Sequence, residues 1–367
     1  MHALFLRDQG WEVDHLEADL VPQGATVRNF GLIWVGGRRS GPELEAAKRA
    51  RTLWEEIASR IPATGFRPAG SLTIARNDDE RKVMEAFAAT PESADRGTTF
   101  LEPDETRHMN SAVGGRIAGA LFCERDAIVE PRAVPRALTD YLAQSAGYRL
   151  HPGRRAVEVK PGAVRDQRNK TWSGDLVVIA PGASPAGEIA GVVADTLAAA
   201  PVRRVRLQML QTAPLPMKVS TSIADADSLR YYPAYECVDL TPLGEQDEVA
   251  KKHQAQLLLA QRLDGALTVG DTHEYGEPFA FDLDDEPSKH LLKRVEEILG
   301  GPVPAVRRRW EGVYVETVQP GRLWYREQIE ASVWLVTGPG GRGMTCSPAI
   351  AEETLGAADV IDARSNS

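Results

Sequence analysis

Hydrophobic and polar positions along this chain follow two periods, and the switches between them lay out its elements. Apolar residues three and four apart predict helices, and alternation at every second residue predicts strands. Residues 1–10 read as helical turns that stop at Gly10. Val13 and Leu16 lie in a short strand that ends in an acid, Glu17. A polar loop leads to residues 32–35, an apolar stretch. Between 42 and 61, Leu44, Ala47, Leu53, Trp54 and Ile57 recur at helical spacing, with Pro42 near the start and Pro62 past the end. A turn and strand follow at 67–75, then an amphipathic helix at 78–89. Pro131 opens a helix to Gly147 with Val134, Leu138 and Leu142 on one face. Strands at 148–150 and 156–159 and a turn at 171–175 precede an apolar run at 176–180. Such a run is expected of a parallel strand covered on both faces.

The pattern changes from residue 200. Residues 202–211 alternate polar and apolar, an antiparallel signal, until Pro214 and Pro216 break it. The stretches 229–233, 256–263 and 266–271 continue an antiparallel sheet. Leu291, Leu292, Val295 and Ile298 line one side of a helix at 287–299, and a strand follows at 307–316. A last parallel strand is expected at 334–337, a last helix at 347–361 and a frayed tail at 363–367. The chain thus leaves an α/β layer twice and returns to it twice. The predicted fold class is α/β (α+β overall). A Rossmann-like cofactor domain takes residues 1–64, 128–198 and 327–367, and an antiparallel-sheet substrate domain takes 65–127 and 199–326.

Composition narrows the partners. The 367 residues suffice for two domains with a real core. A net charge of −9 without a long basic run argues against nucleic acid and anionic membranes. Cys123, Cys237 and Cys346 are scattered with no C-x-x-C pair, which fits a reducing cytoplasm. Residues 1–10 lack the apolar core of a signal peptide, and no apolar run reaches the ~18 residues of a membrane span. No Cys/His spacing suggests a metal, and no nucleophile elbow is present.

Two stretches carry candidate chemistry by pattern. In a dinucleotide-binding βαβ unit the second strand ends in an acid that hydrogen-bonds ribose hydroxyls, and Glu17 is placed for that role. The Gly-rich phosphate loop belongs ~20 residues earlier. Counting back from Glu17 runs off the start of the sequence, so the cofactor unit is expected to lack its first strand and that loop. Near the other end, Gly338-Pro-Gly-Gly-Arg-Gly-Met-Thr345 places four glycines in six residues between a strand and a helix. Glycines let backbone approach a ligand closely, and a helix N-terminus offers free N–H groups and a positive dipole end. A plain tight turn needs fewer glycines.

Three segments occur in order: Gly24-Ala-Thr-Val-Arg-Asn-Phe-Gly31, Leu176-Val-Val-Ile-Ala-Pro-Gly-Ala183, and Trp334-Leu-Val-Thr-Gly-Pro-Gly-Gly-Arg-Gly-Met-Thr345. Together they resemble the D-amino-acid oxidase / glycine oxidase / sarcosine oxidase family of FAD-dependent amine oxidoreductases, over nearly the whole chain. Within it, Val27-Arg-Asn-Phe-Gly31, Gly270-Asp-Thr-His-Glu-Tyr-Gly276 and Arg309-Trp-Glu-Gly-Val-Tyr314 look most like a bacterial subgroup tied to aminophosphonate catabolism.

The resemblance implies FAD as cofactor and assigns roles. Gly338, Gly340, Gly341, Arg342, Gly343, Met344 and Thr345 run beside the flavin ring. Arg28, Asn29, Phe30 and Gly31 pass between the pyrophosphate and the flavin face, where Arg28 could neutralise phosphate or meet an anionic substrate. Glu17 and Ala18 serve the ribose end, Val157 and Val159 the adenine edge, and Ala180 and Gly182 the turn over the adenosine half. His273 lies over the flavin, where it could orient an amine or anion or take up a proton. The plain alternative is a structural histidine. Tyr231 and Tyr232 could line the substrate cavity, but on a strand only one of the pair can face it. His273, Arg28 and Tyr231 are therefore the catalytic candidates, and Tyr232, Tyr314 and Arg342 the substrate candidates.

Tyr314 informs by departure. Relatives that oxidise α-amino acids carry a carboxylate-binding Arg in this strand, and the ungapped match places Tyr314 there, so the bidentate fork is absent. A substrate other than a simple α-amino acid is expected, with Arg28, Arg203 and Arg342 as candidate cations for a phosphonate. A cysteine holds flavin covalently in some relatives, but from a different strand, and Cys346 reads as packing at a helix start.

The implied reaction is oxidation of a C–N bond in a small amine, with hydride passing to flavin and the imine hydrolysing. Oxygen or another acceptor takes the electrons. One alternative is a truncated or non-catalytic remnant of such an enzyme that binds FAD poorly or not at all. Another is an NAD-linked dehydrogenase, against which the C-terminal Gly-rich loop argues.

Overall fold

The computed structural model describes residues 1–183 and 188–360. The predicted tail at 363–367 and the last residue of the predicted final helix, 361, lie outside them. The chain divides into two compact units, one of residues 1–28, 132–205 and 313–367, the other of 29–131 and 206–312. The chain passes between the units four times, at 28/29, at 131/132 and within two long strands, Val202–Pro214 and Val306–Thr317.

In the first unit, strand Val13–Glu17 pairs in parallel with Tyr148–Pro152, with Val13 opposite Tyr148. Val177–Ile179 runs parallel to Val333–Thr337, whose other edge takes Tyr325–Glu330 antiparallel. Val177 and Ile179 are buried, but Leu176 and Val178 are half-buried and Ala180 is exposed, so the expected cover on both faces is complete on one face only. A four-stranded sheet holds Thr171–Ser173, Ala163–Asp166, Ala156–Lys160 and Ala190–Gly191 in that order. Residues 171–173, read from sequence as a turn, are thus a strand. The turn lies one step earlier: the Asp166 carboxylate accepts the Arg168 and Lys170 N–H groups at 2.8 and 3.0 Å and so closes a hairpin. Helices His2–Asp8 and Gly343–Ala357 pack on each other.

The second unit contains most of an eight-stranded mixed sheet. Leu72, Ile74, Leu210, Ile223, Leu259, Leu267 and Val269 pack with Leu291, Val295 and Ile298 of helix Asp285–Leu299. The Asp284 carboxylate caps that helix on the Glu286 N–H at 2.9 Å, and Gly300 ends it at φ +76°. Val83, Met84 and Phe87 of helix Asp78–Ala88 pack with Leu121 and Tyr235. Asn77 caps it on the Asp79 and Glu80 N–H groups at 3.0 and 2.9 Å. Helix Pro42–Arg60 buries Leu44, Ala47, Leu53, Trp54 and Ile57, the stripe read from sequence.

Several expected elements differ. Residues 229–233 are not a strand: they belong to helix Asp227–Tyr231 and to the 3-10 turn Pro233–Cys237. An Asp227–Arg230 ion pair at 3.3 Å spans one turn, and Pro233 blocks further helix. The helix expected at 131–147 is shorter, Val134–Leu142. The last helix starts at Gly343 rather than 347, so the glycine-rich stretch supplies its first turn. Only Leu32–Ile33 of the stretch 32–35 forms a strand. The Val35 and Gly36 N–H groups go instead to the Asp126 carboxylate, at 2.5 and 2.9 Å.

A buried acid in the second unit gives one stability prediction. Asp225 is 1% exposed and its carboxylate accepts the Leu257 N–H at 3.2 Å. Burial, reinforced by the neighbouring Asp227 carboxylate, pushes Asp225 up to about 7, against the pull of Arg76, the Leu257 N–H and Arg294. Between its unfolded value of about 4 and about 7 the native state holds a proton that the unfolded chain has lost. Stability from this group therefore falls as pH rises through that window. Asp225→Asn should flatten that part of the profile in chemical denaturation at pH 5 and 7.5. An unchanged slope would contradict the assignment.

Candidate functional site

In the first unit, parallel strand Val13–Glu17 delivers Glu17 to its C-terminal end, where one carboxylate oxygen accepts the Asp19 N–H at 3.0 Å and Ala18 begins the turn. Strand Val333–Thr337 leads into Gly338 and Gly340, at φ +66° and +60°, then the 3-10 turn Gly340–Arg342 and helix Gly343–Ala357. The turn is held by strand Val306–Thr317: the Thr317 N–H donates to the Gly338 carbonyl at 3.0 Å, and Glu316 bridges to Pro339. No side chain caps the helix start, and a Cβ on Gly341 would meet nothing within 4 Å. Met344 follows Gly343 in the first helical turn, where Thr345 and Cys346 are buried. The site candidates of 338–345 thus form one backbone cradle at a helix N-terminus.

The other first-unit candidates are placed as follows. Val157 and Val159 lie on a strand with neighbours on both edges, and the Val159 carbonyl accepts the Val192 N–H at 2.9 Å. Ala180 and Gly182 follow strand Val177–Ile179, with Gly182 at φ +63°. Arg28 donates from Nε to the Gln23 carbonyl at 2.6 Å. Arg203 pairs with Glu316 at 2.5 Å, and Arg342 turns to the Leu323 and Pro339 carbonyls at 3.5 and 3.4 Å. Tyr314 is half-buried on strand Val306–Thr317.

In the second unit, the Asn29 side-chain oxygen accepts the Gly31 N–H at 2.7 Å, closing a tight turn. Gly31 sits at φ +72°, where a Cβ would fall 2.2 Å from the Val129 carbonyl oxygen. Phe30 is buried, and its ring edge lies 3.1 Å from where a Cβ on Gly270 would be. Strand Ala266–Gly270 ends there, and Asp271, His273 and Tyr275 follow at alternate positions in the segment beyond it.

These residues meet an aromatic cluster. Tyr231 stacks on His273 with centroids 4.4 Å apart, His273 faces Tyr275 at 6.4 Å, Tyr232 sits edge-on to Tyr231 at 5.0 Å, and Trp34 adjoins Tyr232 at 5.6 Å. Gly37 makes room for it, since a Cβ there would lie 2.5 Å from Trp34 Nε1 and 2.7 Å from the Tyr232 ring. The expectation that only one of the two tyrosines could share the site rested on a strand. A helix end followed by an extended residue brings both into it. His273 Nδ1 lies 3.1 Å from the Gln254 carbonyl, which only accepts, so Nδ1 carries a proton and donates to it. The His273 Nε2 is 3.8 Å from an Asp271 carboxylate oxygen. Burial pushes the Asp271 carboxyl above the usual carboxylate range, opposed by His273 and Gln256. Burial, then Asp271, also pushes the Tyr232 hydroxyl up.

Trp34, Asp271 and Gln256 were not singled out by the sequence reading. Asp271 was within reach, because it stands two residues before His273 in a segment already marked.

The first unit thus holds a parallel strand ending in the Glu17 carboxylate and a glycine-rich turn at a helix start, and the second unit holds a histidine-aromatic cluster. The family described as FAD dependent oxidoreductase (DAO) matches residues 1–355, and the chain belongs to it. A search by sequence among curated proteins gave no match. By structure the chain is similar to glycine oxidase from Bacillus cereus ATCC 14579, with TM-score 0.76, 16% identity and coverage of 98% of this chain and 93% of that one. It is also similar to L-proline dehydrogenase from P. horikoshii, with TM-score 0.74, 16% identity and coverage of 97% and 88%. Iminodiacetate oxidase (IdaA) from Chelativorans sp. BNC1 gives TM-score 0.70, 14% identity and coverage of 97% and 91%. At these identities the likeness establishes the shared fold. The cofactor is FAD, and the uncapped helix start, the open space at Gly341 and the Glu17 carboxylate fit it. Among the described residues, no helix is long and apolar enough to cross a membrane.

Proposed function

We propose that this chain oxidises a C–N bond in a small amine, with aminophosphonates as its preferred class. The observation that carries the reading is the His273 cluster: an imidazole held through Nδ1 on the Gln254 carbonyl, stacked on Tyr231 and flanked by Tyr232. Glycine oxidase, L-proline dehydrogenase and iminodiacetate oxidase, each named for an amino compound, support the amine class.

In this reading FAD, when bound, supplies the two-electron acceptor for the C–H bond beside nitrogen. Glu17 and Ala18 hold its ribose end, Val157, Val159, Ala180 and Gly182 its adenosine half, and Arg28, Asn29, Phe30 and Gly31 its middle. The cradle of Gly338, Gly340, Gly341, Arg342, Gly343, Met344 and Thr345 lies along its polar ring edge at the positive end of a helix. His273 Nε2 accepts the proton released when the substrate ammonium becomes neutral, and its Nδ1–H stays on the Gln254 carbonyl. Tyr231 and Tyr232 form the apolar wall against which the substrate carbon rests.

The phosphonate preference rests on Tyr314, which stands where a carboxylate-binding Arg is expected. Arg28, Arg203 and Arg342 are the candidate cations, and Arg203 pairs with Glu316 at 2.5 Å. Steady-state kinetics on aminomethylphosphonate, 2-aminoethylphosphonate, glycine and D- and L-alanine test this. Higher kcat/KM for the phosphonates is expected, and a reversed order would sink the preference.

A further inference from the structure

We infer that Asp271 and Gln256, walled by Trp34, Tyr231 and Tyr232, form a binding site for a protonated alkylamine. The site lies wholly in the second unit. It deepens the proposed function and rests on the reading that the His273 cluster receives substrate.

Backbone geometry puts the two polar side chains together. The Asp271 N–H donates to the Gln256 carbonyl at 3.0 Å and the Gln256 N–H to the Asp271 carbonyl at 3.2 Å. Residues that exchange both bonds are directly opposed, and their side chains stand on one face about 5 Å apart. Gln256 is 2% exposed and Asp271 6%. Both amide atoms of Gln256 and Oδ1 of Asp271 are buried with no partner within normal hydrogen-bond length, although Gln256 lies close enough to the Asp271 carboxyl and the Tyr232 hydroxyl to pull on both. The other carboxylate oxygen faces His273 Nε2 at 3.8 Å, beyond hydrogen-bond length.

Buried polar groups in folded proteins are nearly always satisfied, and each exception needs a reason. A carboxylate lacks donors, and an amide beside it lacks both a donor and an acceptor. A ligand that completes them must bring N–H groups. The walls narrow the choice to a cation. Ring faces carry negative potential and attract ammonium groups, more so when desolvated. Tyr231 is 36% exposed and gives the cluster its solvent edge. A carboxylate oxygen, an amide oxygen and aromatic faces together suit an –NH3⁺ or –NH2⁺– group with a short alkyl chain. A neutral alcohol of the same size satisfies neither the carboxylate nor the rings. The pair also accounts for the position of His273, whose Nε2 lies next to the carboxylate and can take the proton of an ammonium held there.

Asp271 and Gln256 are positioning residues in this scheme. Isothermal titration of n-propylammonium and of n-propanol into wild-type protein, Asp271→Asn and Tyr231→Leu tests it. Asp271→Asn keeps the shape and removes the charge. Tyr231→Leu removes one ring from the exposed edge and decides the matter if Asp271→Asn fails to fold by circular dichroism. Wild type should bind propylammonium and not propanol. Asp271→Asn should weaken binding roughly tenfold to a hundredfold, the range for a lost charged hydrogen bond. Tyr231→Leu should weaken it several-fold. In turnover, Asp271→Asn should raise KM for amines more than it lowers kcat. Equal binding of propanol and propylammonium, or unchanged affinity in both variants, would overturn the site. Amine turnover by wild type with KM unmoved in Asp271→Asn would overturn it and leave the proposed function standing. Charge-dependent binding in protein that turns over no amine would support the site and remove the proposed function instead.

Discussion

Replacing Asp126 with alanine should lower the unfolding free energy by about 3–5 kcal/mol, the cost of stripping partners from buried, charge-assisted hydrogen bonds. Asp126 is fully buried. One of its oxygens accepts the Val35 and Gly36 N–H groups at 2.5 and 2.9 Å, and the other accepts the Ser71 hydroxyl at 2.6 Å. Three donors are orphaned by the change, and the site is too enclosed for solvent to replace the carboxylate. Burial pushes the Asp126 carboxyl up, while Ser71 and the Gly36 and Val35 N–H groups pull against it. Asp126→Asn keeps the volume and one accepting oxygen and should cost about half as much. The effect also reaches the site, because Val35 and Gly36 connect Trp34 to Gly37, which packs on Tyr232. Urea denaturation measures the change, and a loss under 1 kcal/mol for alanine would contradict the account.

The second large effect is expected at Gly31. Gly31→Ala should cost about 3 kcal/mol or more, since it combines a left-handed backbone with a clash against backbone atoms. The glycine has φ +72°, and an added Cβ would fall 2.2 Å from the Val129 carbonyl oxygen and 2.7 Å from Pro131 Cδ. That carbonyl cannot retreat easily. The Val129 N–H donates to the Gly31 carbonyl at 2.7 Å, and Leu32 pairs with Ile128 one residue on. Gly24 is the control in the same stretch of sequence. Its φ is −76°, and a Cβ there would meet nothing within 4 Å. Gly24→Ala should stay within about 0.5 kcal/mol. Similar losses at both positions, measured by denaturant titration, would mean that the close approach at Gly31 is not what fixes the residue.

Legibility in the sequence followed periodicity. Helices Pro42–Arg60 and Asp285–Leu299 were readable because their buried stripes repeat over several turns. The glycine cradle at 338–345 was readable because glycine density is itself a backbone signal. Residues 229–233 misled, because Tyr231 and Tyr232 are of a type common in strands, while a local Asp227–Arg230 ion pair and Pro233 decide for a single helical turn ending at Tyr231. Asp126 gave no signal. The donors for Asp126 come from Val35 and Ser71, 91 and 55 residues away in the chain, and only the fold brings them there. Gln256 is defined as a site residue solely by its cross-strand partner. Spacing showed which residues could do chemistry, and tertiary pairing showed which of them act together.

The most direct test of amine oxidation is spectroscopic. FAD-loaded protein is mixed anaerobically with 2-aminoethylphosphonate, and the visible flavin absorbance is followed, with dithionite as a positive control. The account predicts that the visible band bleaches with the amine and returns on admitting oxygen or another acceptor. A band that stays unchanged with every amine offered, but bleaches with dithionite, would contradict it.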